Sequence, residues 1–164
     1  MDAHQLFRHA LRNFKPCNVL ADIGCGIRPQ NFLLAHQMIY VEPHPEYADW
    51  LEAHGYAPVR KTALEFLKDT DPVDCVVMFD VLEHMTREDG ELCLDLAQEK
   101  AKQIFIFTPN GFQPNHGNDR EDGLDAWGMN GVWMQEHKSG WTPEDFPDWK
   151  VFTENTESLL AIWG

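Results

Sequence analysis

The stretch Val19-Leu20-Ala21-Asp22-Ile23-Gly24-Cys25-Gly26 constrains this chain more than any other. Apolar residues run into an acid and then into Gly-x-Gly. Val19 to Ile23 reads as a short buried strand. The glycines read as a tight turn at its carboxyl end, where backbone without Cβ atoms lets a ligand approach closely. Pro29 follows, a residue suited to the first turn of a helix. Strand, glycine turn and helix start, in that order, make a nucleotide-type site at the carboxyl edge of an open parallel sheet. The dinucleotide fingerprint is incomplete, because Pro29 stands where its third glycine would fall. Asp22 suits a ligand with a cationic amine better than one with a pyrophosphate. Both points count against a nicotinamide-dependent oxidoreductase.

The rest of the chain alternates strand and helix signals, which predicts a doubly wound, mostly parallel α/β sheet of the Rossmann-like kind. Asp2 to Asn13 reads as an amphipathic helix with Leu6, Phe7, Ala10 and Leu11 on one face. Pro29 to Gln37 reads as the first crossover helix, and Met38 to Val41 as a second strand. Glu42 ends that strand, twenty residues beyond Asp22, where an acid is placed to accept hydrogen bonds from both ribose hydroxyls. Pro45 opens a helix that Gly55 stops, with Tyr47 and Leu51 inward. Tyr56 to Arg60 is expected as a short third strand. Thr62-Ala63-Leu64-Glu65 is a capping box. Val73 to Phe79 is the most strand-like run and reads as a central parallel strand ending at Asp80. A helix from Thr86 to about Lys102 should turn Leu92, Leu96 and Ala97 inward, with Thr86 and Asp89 as a second capping box. Gln103 to Thr108 is a fifth strand.

The pattern then changes. Residues 109–140 are rich in Gly, Asn, His and Trp without a clean period, and a loop of about thirty residues in so small a chain is often functional. Thr142 to Phe146 is a candidate short helix. Trp149 to Phe152 and Ser158 to Trp163 read as final strands. The short polar link Thr153 to Glu157 permits only antiparallel pairing between them. The whole chain, 1–164, is expected to be one domain. Its net charge of −14 divides into −4 up to residue 80 and −10 beyond it. Such a surface repels phosphate backbones, so nucleic acid is a poor partner. No apolar run reaches membrane-spanning length. Cys17, Cys25, Cys75 and Cys93 form no C-x-x-C pair, and reduced thiols in a cytoplasmic protein are expected.

Three separated pieces then agree with one family. Ala21 to Gly26 resembles the first motif of class I S-adenosylmethionine (SAM)-dependent methyltransferases. Tyr40-Val41-Glu42 resembles their ribose-binding strand end. Phe79 to Met85 is similar to the "VLEH" segment of their small members, and Ile104 to Asn110 to their fifth strand and Thr-Pro-Asn turn. The resemblance covers nearly the whole chain and implies their fold, a mostly parallel sheet with an antiparallel terminal strand. It implies SAM as cofactor and S-adenosylhomocysteine (SAH) as product. Asp22, Gly24, Cys25, Gly26, Glu42, Thr62, Ala63 and Asp80 are then the cofactor-binding residues, with Asp22 or Asp80 balancing the ammonium.

The implied reaction is methyl transfer, at oxygen, to a small-molecule or sugar-like hydroxyl. No Asn/Asp-Pro-Pro-Tyr/Phe motif is present, which argues against amino-methylation of bases. A hydroxyl acceptor needs a general base, and His84, His116 and His137 are the candidates. Asp80-x-x-Glu83-His84 with His137 is also similar to the metal-binding pattern of small-RNA 2'-O-methyltransferases. Carboxylates and imidazoles could hold a divalent ion there. Asp80 is shorter than the usual glutamate and the acidic surface suits RNA poorly, so a metal-free site is the main expectation. A catalytically silent SAM-fold partner subunit is the alternative from another class. Trp127, Trp133 and Trp141 are expected to pack the long loop down or to line a substrate pocket, packing being the main expectation and one or two of them doing both. The oligomeric state is left open, a homodimer included.

Overall fold

A computed structural model describes residues 3–117, 120–153 and 157–164. Six strands form one mixed sheet in the order β2-β1-β3-β4-β6-β5. β1 (Val19–Ile23), β2 (Gln37–Val41), β3 (Val73–Phe79) and β4 (Ala101–Pro109) are parallel. β6 (Ser158–Trp163) runs antiparallel to β4, and β5 (Lys150–Phe152) antiparallel to β6. β1 and β3 lie inside the sheet and are buried almost throughout, which is why they read as continuous apolar runs.

Helices cover both faces. α3 (Ala63–Asp69) and α4 (Arg87–Lys100) bury Phe66, Leu67, Cys93 and Ala97 against one face, where Trp141 and Phe146 join them. α1 (Ala3–Asn13) lays Leu6 and Ala10 on the other, beside Leu33, Phe105 and Leu160. α2 (Pro45–Ala53) buries Tyr47, Ala48 and Leu51. Thr62 and Glu65 form the expected capping box at α3, each satisfying a backbone N–H of the other. Thr86 caps α4 by accepting from Asp89 N.

Several expectations are corrected. The first crossover helix is absent: Gly24 to His36 crosses from β1 to β2 in turns. Asn31 N donates to Pro29 O and Leu33 N to Gln30 O, while the Asn31 side chain is tied to Tyr40 and Tyr56. These contacts hold the chain in tight turns. Leu33 is fully buried, but Leu34 is 63% exposed, so the apolar run does not make one helical stripe. The third strand shrinks to a single parallel bridge between Val41 and Val59. Leu11 and Leu92 are exposed; α4 turns Ala97 inward and packs Leu96 half-buried against the core as expected, and it also buries Gly90, Cys93 and Leu94. Thr142 to Phe146 contains only a 3₁₀ turn at Pro143–Asp145. The long loop carries one helical turn, α5 (Val132–Gln135). Most of the connection between β5 and β6 lies outside the described residues. All four cysteines are free. Among the described residues no helix is long and apolar enough to cross a membrane.

Candidate active site

The carboxyl ends of β1, β2 and β3 open into a cleft of about 510 Å³, within the usual size of small-molecule sites. Gly24, Cys25 and Gly26 form its floor, Glu42 and Pro43 one side, and Thr62 and Ala63 the start of α3. Asp80, Glu83 and His84 come from the end of β3. Trp127, Trp133, Met134 and His137 come from the long loop.

The glycine turn is built by its own hydrogen bonds. Gly24 N and Cys25 N donate to Val41 O, and Gly26 N donates to Glu42 Oε2 at 2.8 Å. Both glycines hold positive φ, +68° and +55°. A Cβ on Gly24 would lie 2.7 Å from Val81 Cγ2, and one on Gly26 would run into the Trp127 ring. So the missing side chains make room for Val81 and Trp127, where the sequence pattern suggests room for a ligand. Gly24→Ala combines a left-handed backbone with a fixed steric clash. It is expected to cost about 2–5 kcal/mol, read as a lowered denaturant midpoint with an unchanged slope. A midpoint within error of wild type would mean that the turn relaxes freely.

Glu42 is buried and accepts from two backbone groups, Gly26 N at Oε2 and His44 N at Oε1. A carboxylate has about four acceptor positions, so it keeps capacity towards the cleft that it lines. Burial raises its pKa, opposed by the His44 and Gly26 N–H groups. His44 Nε2 meets Asn130 O at 3.0 Å, and its Nδ1 is a buried atom with no partner.

Asp22 is 1% exposed and does not line the cleft. Its carboxylate accepts from Gln30 N at 2.6 Å and thereby braces the turn. Burial pushes its pKa up to about 7, the Gln30 N–H opposing and Glu42 adding to the rise. The folded protein then holds a proton that the unfolded chain releases near pH 3.8. Stability from this group is present below that value and is lost as pH rises towards about 7, by up to about 4 kcal/mol. Asp22→Asn keeps an acceptor for Gln30 N and removes the charge. Denaturant unfolding at pH 4.5 and pH 8 should find the variant gaining on wild type at the higher pH. A gap independent of pH would rule out a titrating Asp22.

Asp80 follows β3 with φ +55°, a conformation uncommon outside glycine and concentrated at functional sites. Next to it, Glu83 is 2% exposed. Burial, and then the Asp80 charge, raise its pKa well above the carboxylate range. Asp80 is raised by desolvation, opposed by its hydrogen bond with Glu83. Two acids that cannot both shed their protons cheaply form a pair that a cation would relieve.

The segment 137–141 is strapped to this corner. Lys138 N and Ser139 N donate to Glu83 O, Ser139 Oγ to Leu82 O, and Trp141 Nε1 to Ser139 Oγ. That strap sets the His137 ring 5.0 Å from His84, edge to face. Ligand-type atoms of Glu83, His84 and His137 lie within 4.8 Å of one another. His84 Nδ1 meets Glu136 O at 3.2 Å and His137 Nδ1 meets Gln113 O at 2.6 Å. A carbonyl only accepts, so each Nδ1 carries the hydrogen. In the neutral rings Nε2 is left as the lone pair, the arrangement that orients metal-binding histidines. His84 Nε2 lies 4.0 Å from Glu83 Oε1, and Asn115 Nδ2 is 3.5 Å from His137 Nε2. Burial pushes the His84 pKa down to about 4, opposed by its bond to Glu136 O. Its ring is therefore neutral at pH 7.

Of the residues singled out from sequence, Gly24, Cys25, Gly26, Glu42, Thr62, Ala63, Asp80, His84 and His137 line the cleft. Asp22 stands behind it. His116 is exposed, outside the cleft wall, and pairs with Glu136 in an isolated bridge. The Cys25 thiol is buried against Gly26 O, and burial drives its pKa far upward, so it is inert. Trp141 is buried, with its ring against Gly90. Trp127 and Trp133 line the cleft, and Trp133 is 64% exposed. Sequence reasoning gave no site role to Arg28, whose guanidinium lies 5.8 Å from the Trp127 ring. It also missed Asp125, although Asp-x-Trp-Gly is a turn signal in which the acid bonds the backbone two residues on.

No protein-family model matches the chain, and no curated protein sequence matches it. Solved structures do. A SAM-dependent methyltransferase from Archaeoglobus fulgidus superposes with a TM-score of 0.65 at 20% identity, over 96% of this chain and 90% of that one. The DhpI–SAH complex gives 0.74 at 12% identity, over 98% and 82%. The small RNA methyltransferase HEN1 gives 0.64 at 18% identity, over 98% of this chain but 25% of that one. The chain has the class I methyltransferase fold.

Proposed function

We propose that the protein is a SAM-dependent methyltransferase that methylates the oxygen of a small-molecule or sugar-like hydroxyl. One observation carries the reading: Glu42, buried at the end of β2, is tied to the glycine turn and faces a cleft of suitable size. In this reading Glu42 accepts the ribose hydroxyls, and Thr62, Ala63 and Pro43 flank the adenine. Asp80 balances the ammonium. The cofactor, when bound, supplies a methyl group already activated by a sulfonium. The chain's own task is then to align the acceptor, and alignment can supply roughly 7–11 kcal/mol of a barrier. His84, neutral at pH 7, and His137 are the groups available to take the hydroxyl proton. Residues 109–140 supply the acceptor-side wall, and a cytoplasmic setting fits four free thiols. Calorimetric titration with SAH tests the reading. Micromolar binding supports it, and no binding at millimolar SAH favours a silent partner subunit of the same fold.

A second reading adds a metal. The meeting of Glu83, His84 and His137, with both Nδ1 atoms held by carbonyls, favours a divalent ion. The residues fit one: two imidazoles whose Nδ1 hydrogens are held by carbonyls, and the buried Glu83 beside a second acid, Asp80. Such an ion would lower the pKa of a hydroxyl acceptor. HEN1 is a small RNA methyltransferase. We keep a small molecule as the acceptor here, because a net charge of −14 opposes a polyphosphate chain.

A further inference from the structure

We propose that Asp125 is a positioning residue of the cofactor cleft, acting through Trp127. The assignment rests on the cofactor reading above. Asp125 is fully buried in a loop otherwise rich in exposed residues. A lone buried carboxylate is costly unless its lone pairs are filled, and here they are. Oδ1 accepts from Trp127 N and Met129 N, both at 2.9 Å. Oδ2 accepts from Gly131 N at 3.0 Å and from the Tyr47 hydroxyl. The same hydroxyl accepts from Gln135 Nε2 at 3.2 Å. One acid therefore folds residues 125–131 around itself and fastens them to α2. Gly131 is required for this: a Cβ there would collide with the Tyr47 hydroxyl.

The fastening has a direction. The Trp127 ring packs edge-on against Tyr47, with centroids 4.9 Å apart, and its far edge seats where Gly26 lacks a side chain. Trp127 lines the cleft, beside the guanidinium of Arg28. Gly26 is also the residue whose N–H holds Glu42. Asp125, Tyr47, Trp127, Gly26 and Glu42 thus form one connected chain of contacts from the loop to the ribose-side acid. Trp127 forms the roof over the turn, and Asp125 keeps it there.

The test is a double-mutant cycle on SAH affinity, with amide exchange of the ligand-free protein beside it. Tyr47→Phe removes one donor from Asp125 and keeps the ring. It should weaken SAH binding about tenfold, the effect of one hydrogen bond to a charged group. Trp127→Ala should weaken it at least as much. The double variant should bind no more weakly than Trp127→Ala alone, because both act at one point. Exchange at Trp127, Met129 and Gly131 should quicken in Tyr47→Phe, while β1 and β3 keep their protection. Unchanged affinity in Tyr47→Phe, or additive losses in the double variant, would overturn the assignment and leave the cofactor reading standing. A wild-type protein that binds no SAH overturns both.

Discussion

Glu42→Gln is expected to bind SAH nearly as poorly as Glu42→Ala, with both losing about 100-fold or more against wild type. The reason lies in the two N–H groups that Glu42 already accepts, from Gly26 and His44. An ionised carboxylate serves both and still has acceptor positions for two ribose hydroxyls. A glutamine has one acceptor oxygen, and its amide must face one of those N–H groups with another donor. A buried donor left unpaired costs about 1–3 kcal/mol. Each lost hydrogen bond to a charged group removes about 1.5–3 kcal/mol more. Two such terms make roughly 3–5 kcal/mol, or about two to four orders of magnitude in affinity. Calorimetry on wild type and both variants measures this. Near-wild-type binding by Glu42→Gln would remove Glu42 from the cofactor site.

Mn²⁺ is expected to raise the melting temperature of metal-stripped protein, and His137→Ala and His84→Ala are each expected to abolish the rise. An ion at a hundred times its dissociation constant adds about 2.7 kcal/mol of stability. For a chain of this size that corresponds to roughly 5–10 °C. The shift needs no substrate and no turnover, so it tests the site apart from the reaction. His116→Ala, outside the cleft, should keep the full shift. Equal melting temperatures with and without Mn²⁺ would return the two histidines to the role of general base alone.

Much of the sheet was legible because buried parallel strands advertise themselves. Val73 to Phe79 is apolar on both faces, and the structure puts it at the centre. Glu42 was legible by spacing, since one crossover fixes how far the second strand end lies from the first. The crossover itself was misread. Phe32, Leu33 and Leu34 look like a helix stripe, yet tight turns and the Asn31 side chain decide the path instead. A local pattern cannot report a bond to Tyr40 on another strand. Tyr56 to Arg60 was misread for a related reason, because strand character without a partner along its length yields only a bridge at Val59. Leu92 illustrates a smaller error, since Gly90, Cys93, Leu94 and Ala97 make the buried stripe of α4 and leave Leu92 outside it.

The site divided along similar lines. Its glycines and strand-end acids lie in short motifs and could be read. Asp125 and Tyr47 lie far apart in sequence and meet only through the folded loop. Trp127 and Trp133 were expected to pack. Trp127 does rest on Gly26 and Tyr47 while lining the cleft, whereas Trp133 is largely exposed. Nothing local separates the two.

The helix-free crossover after the glycine turn settles what this turn offers to an anion. In sites that grip nucleotide phosphates, free amides at a helix start point at the ligand, and the helix field adds about half a positive charge. Here neither is available. The N–H groups of Gly24, Cys25 and Gly26 are spent on Val41 O and Glu42, and Gln30 N is spent on Asp22. A di- or triphosphate brought to this turn would find its amides taken and two acids behind them. A nucleoside that carries sulfur and an amino acid brings no phosphate chain to be held there. The backbone of the turn therefore gives a phosphate chain no free amide at Gly24, Cys25, Gly26 or Gln30.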